Sequence, residues 1–499
     1  MRSPVRLRTP PHWPRWTALL LAGSALLGAA RGQSGHDAAG ERPPNLVVML
    51  ADDLGWGELG CYGQRKIATP ALDRLAAQGL RFTQGYCGAP VCAPSRAVLL
   101  TGRSSPYAEI RDNREVKPEG QHPLSDGAVT LAELVRDAGY ATGAFGKWGL
   151  GAVGSSGDPN RQGFARFFGY ICQRQAHSYY PDWLWVDGTR LWLDNPGVPG
   201  HGKLSEGETG YARFRGNEYA PARILAAAKG FVRAHAGRPF FLYVPFVQPH
   251  LAMQPPADLV DAYPTEWDAT PYDGARGYVP HPRPRAGYAA MIGDLDRQVG
   301  ELLALLDELG LAERTLVVFS SDNGPTHDVG GVDTAFFAST GPLRGRKGSV
   351  YEGGIRVPWL VRWPGHIAPG TVSDAVIAAQ DLLPTFAELV GAEMPADSDG
   401  LSFLPILRGR PQERPAREVL AFEFRGYGGQ KAVRMGDHKA VLRDIERGAD
   451  RIELYDLARD PGETRDLADA EPELVARART LFAERRSPST EFPLRGYDR

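Results

Sequence analysis

The chain has 499 residues, 42% hydrophobic and 23% charged, a composition that excludes a disordered, collagenous or multi-span membrane protein. Lys+Arg 57 against Asp+Glu 59 leaves a net charge of -2, which excludes a basic footprint for nucleic acid or an anionic membrane. Four cysteines in this length exclude a disulfide-held scaffold.

Arg2, Arg6, Arg8 and Arg15 precede an apolar stretch from Trp16 to Ala30, and Ala30-Arg31-Gly32 suits cleavage before Gln33. Basic start, short apolar centre and small-residue exit predict a secretory signal over residues 1–32. Its apolar run, at about 15 residues, is short of the roughly 20 needed to span a bilayer. The expectation is an exported protein, periplasmic or extracellular, with no stable membrane span and a polar linker at 33–43.

Asn45–Leu50 is a continuous apolar run ending in Ala51-Asp52-Asp53, the pattern of a buried parallel strand. Thr69 as N-cap and Pro70 at the first position predict a helix that Gly79 ends. Thr130 and Glu133 form a capping box for a second helix, which leads into a strand at Ala141–Phe145. A helix near Ala222–His235 precedes a strand at Phe240–Phe246, and one near Tyr288–Leu309 precedes Thr315–Ser321. Pro280–Pro284 reads as a surface loop. The alternation predicts an α/β domain over 44–410, a large mainly parallel sheet sandwiched by helices. From 411 the texture changes to short antiparallel strands, Val419–Phe424, Lys431–Met435 and Lys439–Leu442, then Glu453–Leu457 and an amphipathic helix at Pro472–Glu484. That predicts a small C-terminal antiparallel sheet plus helix over 411–499.

Ligands of parallel sheets collect beyond the carboxyl ends of the strands. Those ends carry Asp52-Asp53, Gly146-Lys147, Gln248-Pro249-His250 and Asp322-Asn323. A solvated turn explains any one of them alone, but four strands delivering such groups to one rim point to chemistry. Asp52, Asp53, Asp322 and Asn323 offer hard oxygen ligands, suited to Ca²⁺ or Mg²⁺ rather than zinc. Cys92 lies in a Pro-containing turn before a short helix, with Arg96 about one turn on. Helix start and guanidinium both favour negative charge there, so a thiolate nucleophile is one reading. Export argues against a reactive free thiol, and structural burial is the other. Among only eight lysines, Lys147 and Lys347 fall in motif-like segments.

Cys92-Ala-Pro94-Ser-Arg96 followed by Leu100-Thr-Gly-Arg103 resembles the signature of the sulfatase family, within the alkaline phosphatase superfamily. Asn45–Gly55, Gly146-Lys147-Trp148, Pro249-His250, Ser321–Gly324, Leu343–Gly348, Tyr351–Gly354 and the closing Leu454–Leu457 follow in family order. The resemblance implies an alkaline phosphatase-like fold and hydrolysis of sulfate monoesters. It implies that a formylglycine-generating enzyme, reading Pro94 and Arg96, converts Cys92 to formylglycine. One hydroxyl of the hydrated aldehyde would attack sulfur, and the other would then let the carbon expel sulfate. The implied metal ligands are Asp52, Asp53, Cys92 as formylglycine, Asp322 and Asn323, holding Ca²⁺ or alternatively Mg²⁺. Arg96, Lys147 and Lys347 would supply fixed cations, and His250 the general acid.

One departure stands out. The family commonly has Gly-Lys-Trp-His-Leu-Gly, where this chain has Gly149 in place of the histidine. The missing ring normally sits by the formylglycine hydroxyls and is a candidate base. Gln173–Tyr180 is the expected source of a replacement, with His177 as base or as substrate-binding residue. The aromatic run Tyr179–Trp192 reads as a sugar-stacking platform or as core packing. The expected substrate is a sulfated small molecule or glycan, a carbohydrate by preference. The alternatives are a phosphate or phosphonate monoester hydrolase and a catalytically impaired glycan-binding protein. Cys61, Cys87 and Cys172 allow at most one bridge, and the oligomeric state is open.

Overall fold

The computed structural model describes residues 42–205 and 210–498. The signal segment at 1–32 lies outside the described residues, as does all of the 33–43 linker except its last two positions. Among the described residues no helix is long and apolar enough to cross a membrane.

Asn45–Asp52 is buried along its whole length because it runs through the middle of a ten-stranded sheet. Phe240–Pro249 pairs with it in parallel on one side and Thr315–Ser321 in parallel on the other. Ala141–Lys147 and Arg166–Tyr170 extend the parallel set beyond Phe240–Pro249. An antiparallel hairpin, Trp183–Val186 with Thr189–Trp192, closes that edge. On the far side, Trp359–Arg362 runs antiparallel to Thr315–Ser321 and is followed by Leu80–Phe82 and Thr371–Ser373. The sheet is therefore large and mostly parallel, as the alternation of helices and strands predicts.

Its unbroken apolar strands follow from burial on both faces. Leu46, Val48 and Leu50 point to one core, where they meet Val98, Leu131 and Leu382 from helices Cys92–Thr101, Leu131–Asp137 and Leu382–Val390. Val47, Met49 and Ala51 point to the other, against Ile224, Val232, Leu295 and Leu302 of helices Ala220–His235 and Pro284–Glu308.

The capping box holds: Glu133 N donates to Thr130 Oγ1 at 3.2 Å and Thr130 N to Glu133 Oε2 at 3.0 Å. The expected Thr69 cap does not. Helix Pro70–Ala77 begins after Thr69, but the Thr69 hydroxyl accepts from Gly60 N and donates to Asp73 instead. Asp296, from the long helix, accepts from the first helical amides, Ala71 N at 3.1 Å and Leu72 N at 2.8 Å. Pro280–Pro284 is not a surface loop either. Pro280, His281 and Pro284 are buried, His281 bridges to Tyr272, and Pro284 opens the Pro284–Glu308 helix.

The C-terminal part is a four-stranded antiparallel sheet, Val419–Phe424, Gln430–Met435, His438–Arg443 and Ile452–Asp456, with helix Pro472–Glu484 packed on it through Ala478 and Phe482. Two buried carboxylates tie this sheet to the rest of the chain. Glu423 meets Arg111 at 2.7 Å, Lys431 at 2.8 Å and Arg486 at 2.8 Å. Glu352 meets Lys439 at 2.9 Å and accepts from the Tyr86 hydroxyl at 2.8 Å. Gln430 Nε2 also donates to Gly348 O at 2.7 Å.

Candidate active site

Four parallel strands end on one rim, and their last residues converge there. Ala141–Lys147 and Phe240–Pro249 run past the ends read from the sequence, which carries Lys147 and Gln248 on the strands themselves. Asp52 closes the central strand, and Asp53 follows at φ 67, a left-handed turn that aims its amide at Asp322 Oδ1, 3.1 Å away. Asp322 and Asn323 follow the neighbouring strand and His250 follows Phe240–Pro249, all buried.

Cys92 is the first residue of helix Cys92–Thr101. Its Sγ lies 3.4 Å from Asp52 Oδ1 and 3.9 Å from Lys147 Nζ. Burial, together with the adjacent Asp52 charge, pushes the thiol up to about 12, so it is not a thiolate. Asn113 Oδ1 accepts from Ala93 N at 3.0 Å and so holds the start of that helix.

Three buried carboxylates face three cations, of which Lys147 and Arg96 are buried and Lys347 is partly buried. Lys147 Nζ lies 2.5 Å from Asp52 Oδ2 and Lys347 Nζ 2.8 Å from Asp53 Oδ2. Arg96 donates from Nε and Nη2 to Asp322 Oδ2 at 3.0 and 2.8 Å, reaches Asp52 at 3.3 Å, and also binds the Lys147 carbonyl. Burial works against the Asp52 charge, yet Lys147, His250 and Arg96 hold its carboxyl well below the usual range. Asp322 goes the other way: burial and Asp52 push it up to about 7 in spite of Arg96.

The donor set fits a hard divalent cation. Ligand atoms of Asp52, Asp53, Cys92 and His250 lie within 4.8 Å of one another. Asn323 Nδ2 donates to Asp53 Oδ1 at 2.7 Å, while its fully buried Oδ1 has no hydrogen-bond partner. A spare acceptor oxygen beside three crowded carboxylates is what an oxygen-seeking ion would occupy.

His250 Nδ1 donates to Leu251 O at 2.5 Å, which turns Nε2 toward Asp53 Oδ2 at 3.7 Å. Burial, Lys347 and Lys147 hold this imidazole well below its ordinary range. The Tyr179 hydroxyl donates to the His250 carbonyl at 2.6 Å. His177 reaches the same place: its ring stacks on His250 with centroids 5.0 Å apart and planes at 21°. Asp52, Asp53, Cys92, Arg96, Lys147, His177, His250, Asp322, Asn323 and Lys347 are thus brought together at this rim.

Gly149 sits at φ +89 with Gln173 against it; a Cβ there would lie 2.9 Å from Gln173 Nε2. Gln173 donates to Asn113 Oδ1 at 3.2 Å. Two neutral amides therefore lie between Gly149 and the start of the Cys92 helix. The aromatic run divides: Tyr179, Tyr180 and Leu184 are core, whereas Trp192 is 65% exposed at the sheet edge. Trp183 and Trp185 direct their indole N–H groups to Glu119. Cys61, Cys87 and Cys172 are unbridged.

Sequence reasoning missed His201, Tyr278, His327 and Tyr427. His201 and Tyr278 stack beside His177, and His327 Nε2 lies 3.2 Å from the Tyr427 hydroxyl. A Cβ at Gly348 would lie 2.8 Å from the Tyr427 ring, so that tyrosine covers the turn after Lys347. With only eleven histidines in the chain, His201 and His327 could have been weighed individually.

The sulfatase family profile matches residues 44–392, and that of the N-sulphoglucosamine sulphohydrolase C-terminal region matches 346–482. Arylsulfatase A of Homo sapiens is 35% identical over 88% of this chain and 87% of its own length. An N-acetylgalactosamine-6-O-sulfatase of Bacteroides thetaiotaomicron is 30% identical over 91% of this chain and 96% of its own. Among solved structures, Ps i-CgsB superposes with a TM-score of 0.73 at 24% identity, covering 92% of this chain and 95% of that one.

Proposed function

The chain belongs to the sulfatase family and is a sulfuric ester hydrolase, and from that premise we propose that it is exported and removes sulfate from a sulfated carbohydrate. The observation that carries the mechanism is the setting of Cys92: buried, un-ionised and wedged between Asp52 and Lys147. A thiol held that way is a poor nucleophile, which favours the reading that residue 92 works as formylglycine rather than as a thiolate. Addition of water to that aldehyde would supply a geminal diol, one hydroxyl to attack sulfur and a second to let sulfate leave. A divalent cation, Ca²⁺ with Mg²⁺ as the alternative, held by Asp52, Asp53, Asp322 and Asn323 with residue 92, would polarise the sulfuryl group.

The remaining work falls to the chain's own side chains. Lys147 and Lys347 face the place where sulfate oxygens gain charge, already fixed by Asp52 and Asp53, so little reorganisation is needed. Arg96 braces Asp52 against Asp322 and keeps both oriented. His250, its Nδ1 committed to Leu251 O, can present a proton only from Nε2, and delivers it to the leaving alcohol oxygen. A bound sulfate ester adds the negative charge that lets Nε2 take up that proton. His177, stacked on His250, meets the alcohol portion of the substrate.

Two things support a carbohydrate substrate: the name of the Bacteroides relative, and the rings of His177, His201 and Tyr278 gathered beside His250. The catalytic part is assigned to 44–410 and the small subdomain to 411–499. The test is the mass of the Cys92 peptide from protein made in its own host, paired with sulfate release. An aldehyde at residue 92 with turnover is expected, and Cys92→Ser should arrest after a single turnover. An unmodified thiol in a fully active enzyme, or steady turnover by Cys92→Ser, would overturn the mechanism.

A further inference from the structure

Tyr278 N lies 3.3 Å from His201 Nδ1, and a backbone amide can only donate. His201 Nδ1 is therefore the bare ring nitrogen, and Nε2 carries the proton. That nitrogen lies 2.8 Å from His177 Nδ1. Only one proton fits between two nitrogens at this distance, and it belongs to His201. His177 Nδ1 thus accepts, which leaves the His177 proton on Nε2.

Packing keeps the rings where the hydrogen bonds need them. His201 stacks on Tyr278 with centroids 4.7 Å apart at 23°, and Tyr278 itself is turned into the left-handed region at φ 61. The Tyr278 ring also lies edge-on to His250, at 6.1 Å and 78°. Ala252 N donates to the His177 carbonyl at 3.3 Å, tying that segment to the strand end bearing His250. Burial first, then His250, Lys147, His201 and Lys347, hold His177 well below the ordinary imidazole range. Burial and Arg174 lower His201 as well. Both rings are neutral, as the hydrogen-bond order requires.

We infer that His201 is a positioning residue which fixes His177 as a neutral hydrogen-bond donor, through Nε2–H, to an oxygen of the leaving group. In this arrangement His177 has no lone pair to offer as a base, because Nδ1 is already accepting and Nε2 is protonated. The cations that grip sulfate lie on the Asp52 and Asp53 side of His250. A donor stacked on the His250 ring reaches the alcohol instead. The substrate class that uses it carries a further acceptor oxygen close to the sulfated carbon, such as a sugar hydroxyl or ring oxygen. A simple aryl sulfate has none. The inference rests on the sulfatase reading and refines which esters that site prefers.

The test compares His201→Ala, His201→Phe and His201→Gln on N-acetylgalactosamine 6-sulfate and on para-nitrophenyl sulfate. Losing one neutral hydrogen bond should raise KM for the sulfated sugar roughly 3- to 10-fold in the Ala and Phe variants, with kcat little changed. Turnover of the aryl ester should be unaffected. Gln, whose amide can still donate to His177 Nδ1, should restore most of the loss. If Phe, which keeps the ring stack, matches the wild type, or if the aryl ester suffers equally, the inference fails. A second readout needs no turnover. In protein labelled with nitrogen-15 at histidine, a scalar coupling across the hydrogen bond is expected between His201 Nε2 and His177 Nδ1. A proton found on His177 Nδ1 overturns the inference. Should that coupling be present while the wild-type enzyme releases sulfate from no ester, the sulfatase reading fails and the histidine pair stands.

Discussion

Lys347 and Asp53 are 294 residues apart in the chain and 2.8 Å apart in the site. The ammonium sits on a carboxylate that is also in place to bind a divalent cation, so the two positive groups compete for one charge. Lys347→Met should lower kcat by about 10²- to 10³-fold, as loss of a fixed cation at the developing charge does. It should at the same time raise the affinity for Ca²⁺ or Mg²⁺, read by calorimetry. A parallel fall in both would mean that Lys347 holds Asp53 in shape rather than offsetting its charge.

Restoring the histidine that the family commonly carries at position 149 should not help. Gly149 is at φ +89, where a side chain is strained, and Gln173 fills the adjacent space. Gly149→His is expected to lose activity and about 1–2 kcal/mol of stability. Adding Gln173→Gly should recover part of the stability by making room, though not the cost of the backbone conformation. Higher turnover in the single variant would show that the loop relaxes freely.

Glu58 is fully buried, accepts from Gly55 N at 2.6 Å and Tyr288 Oη at 2.7 Å, and is pushed up to about 7, chiefly by burial. The folded state therefore binds this proton more tightly than the unfolded chain does. Its contribution is intact below about pH 4.5 and is lost as pH rises through 7. Glu58→Gln removes that loss. Above pH 7 it should be more stable than the wild type, by up to on the order of 3 kcal/mol, and the gap should close toward pH 4.5. Denaturant midpoints across that range decide it; parallel profiles would rule the assignment out.

Glu423→Ala leaves Arg111, Lys431 and Arg486 buried around a missing charge. The expected cost is about 3–5 kcal/mol in chemical denaturation. A change below about 1 kcal/mol would indicate that water replaces the carboxylate.

Much of the site is legible in the sequence because parallel strands impose it. Asp52, Lys147, His250 and Asp322 each lie at the carboxyl end of a buried parallel strand, and topology alone sends such ends to one rim. The Thr130–Glu133 box is legible for a different reason: both partners lie within one turn. What escapes is long-range and side-chain based. Asp296 caps a helix 225 residues away, and no local pattern can announce it. Thr69, a sound cap by local rules, is drawn off by Gly60 and Asp73. His201 and Tyr278 lie in irregular loops, where neither the helical nor the strand period applies. They become visible only when those loops fold back over His250.

The loop that delivers Lys347 is clamped from behind by the small sheet, through Gln430 on Gly348 and Lys439 on Glu352. Trimming the gene after residue 410 would therefore not yield a minimal enzyme. It would leave Glu352 without its ammonium partner and free the turn that carries Lys347. The tail, with no residue of its own among the strand-end groups, helps to hold the turn that carries Lys347. For anyone shortening, fusing or permuting this polypeptide, the residues beyond 410 are the part least open to negotiation.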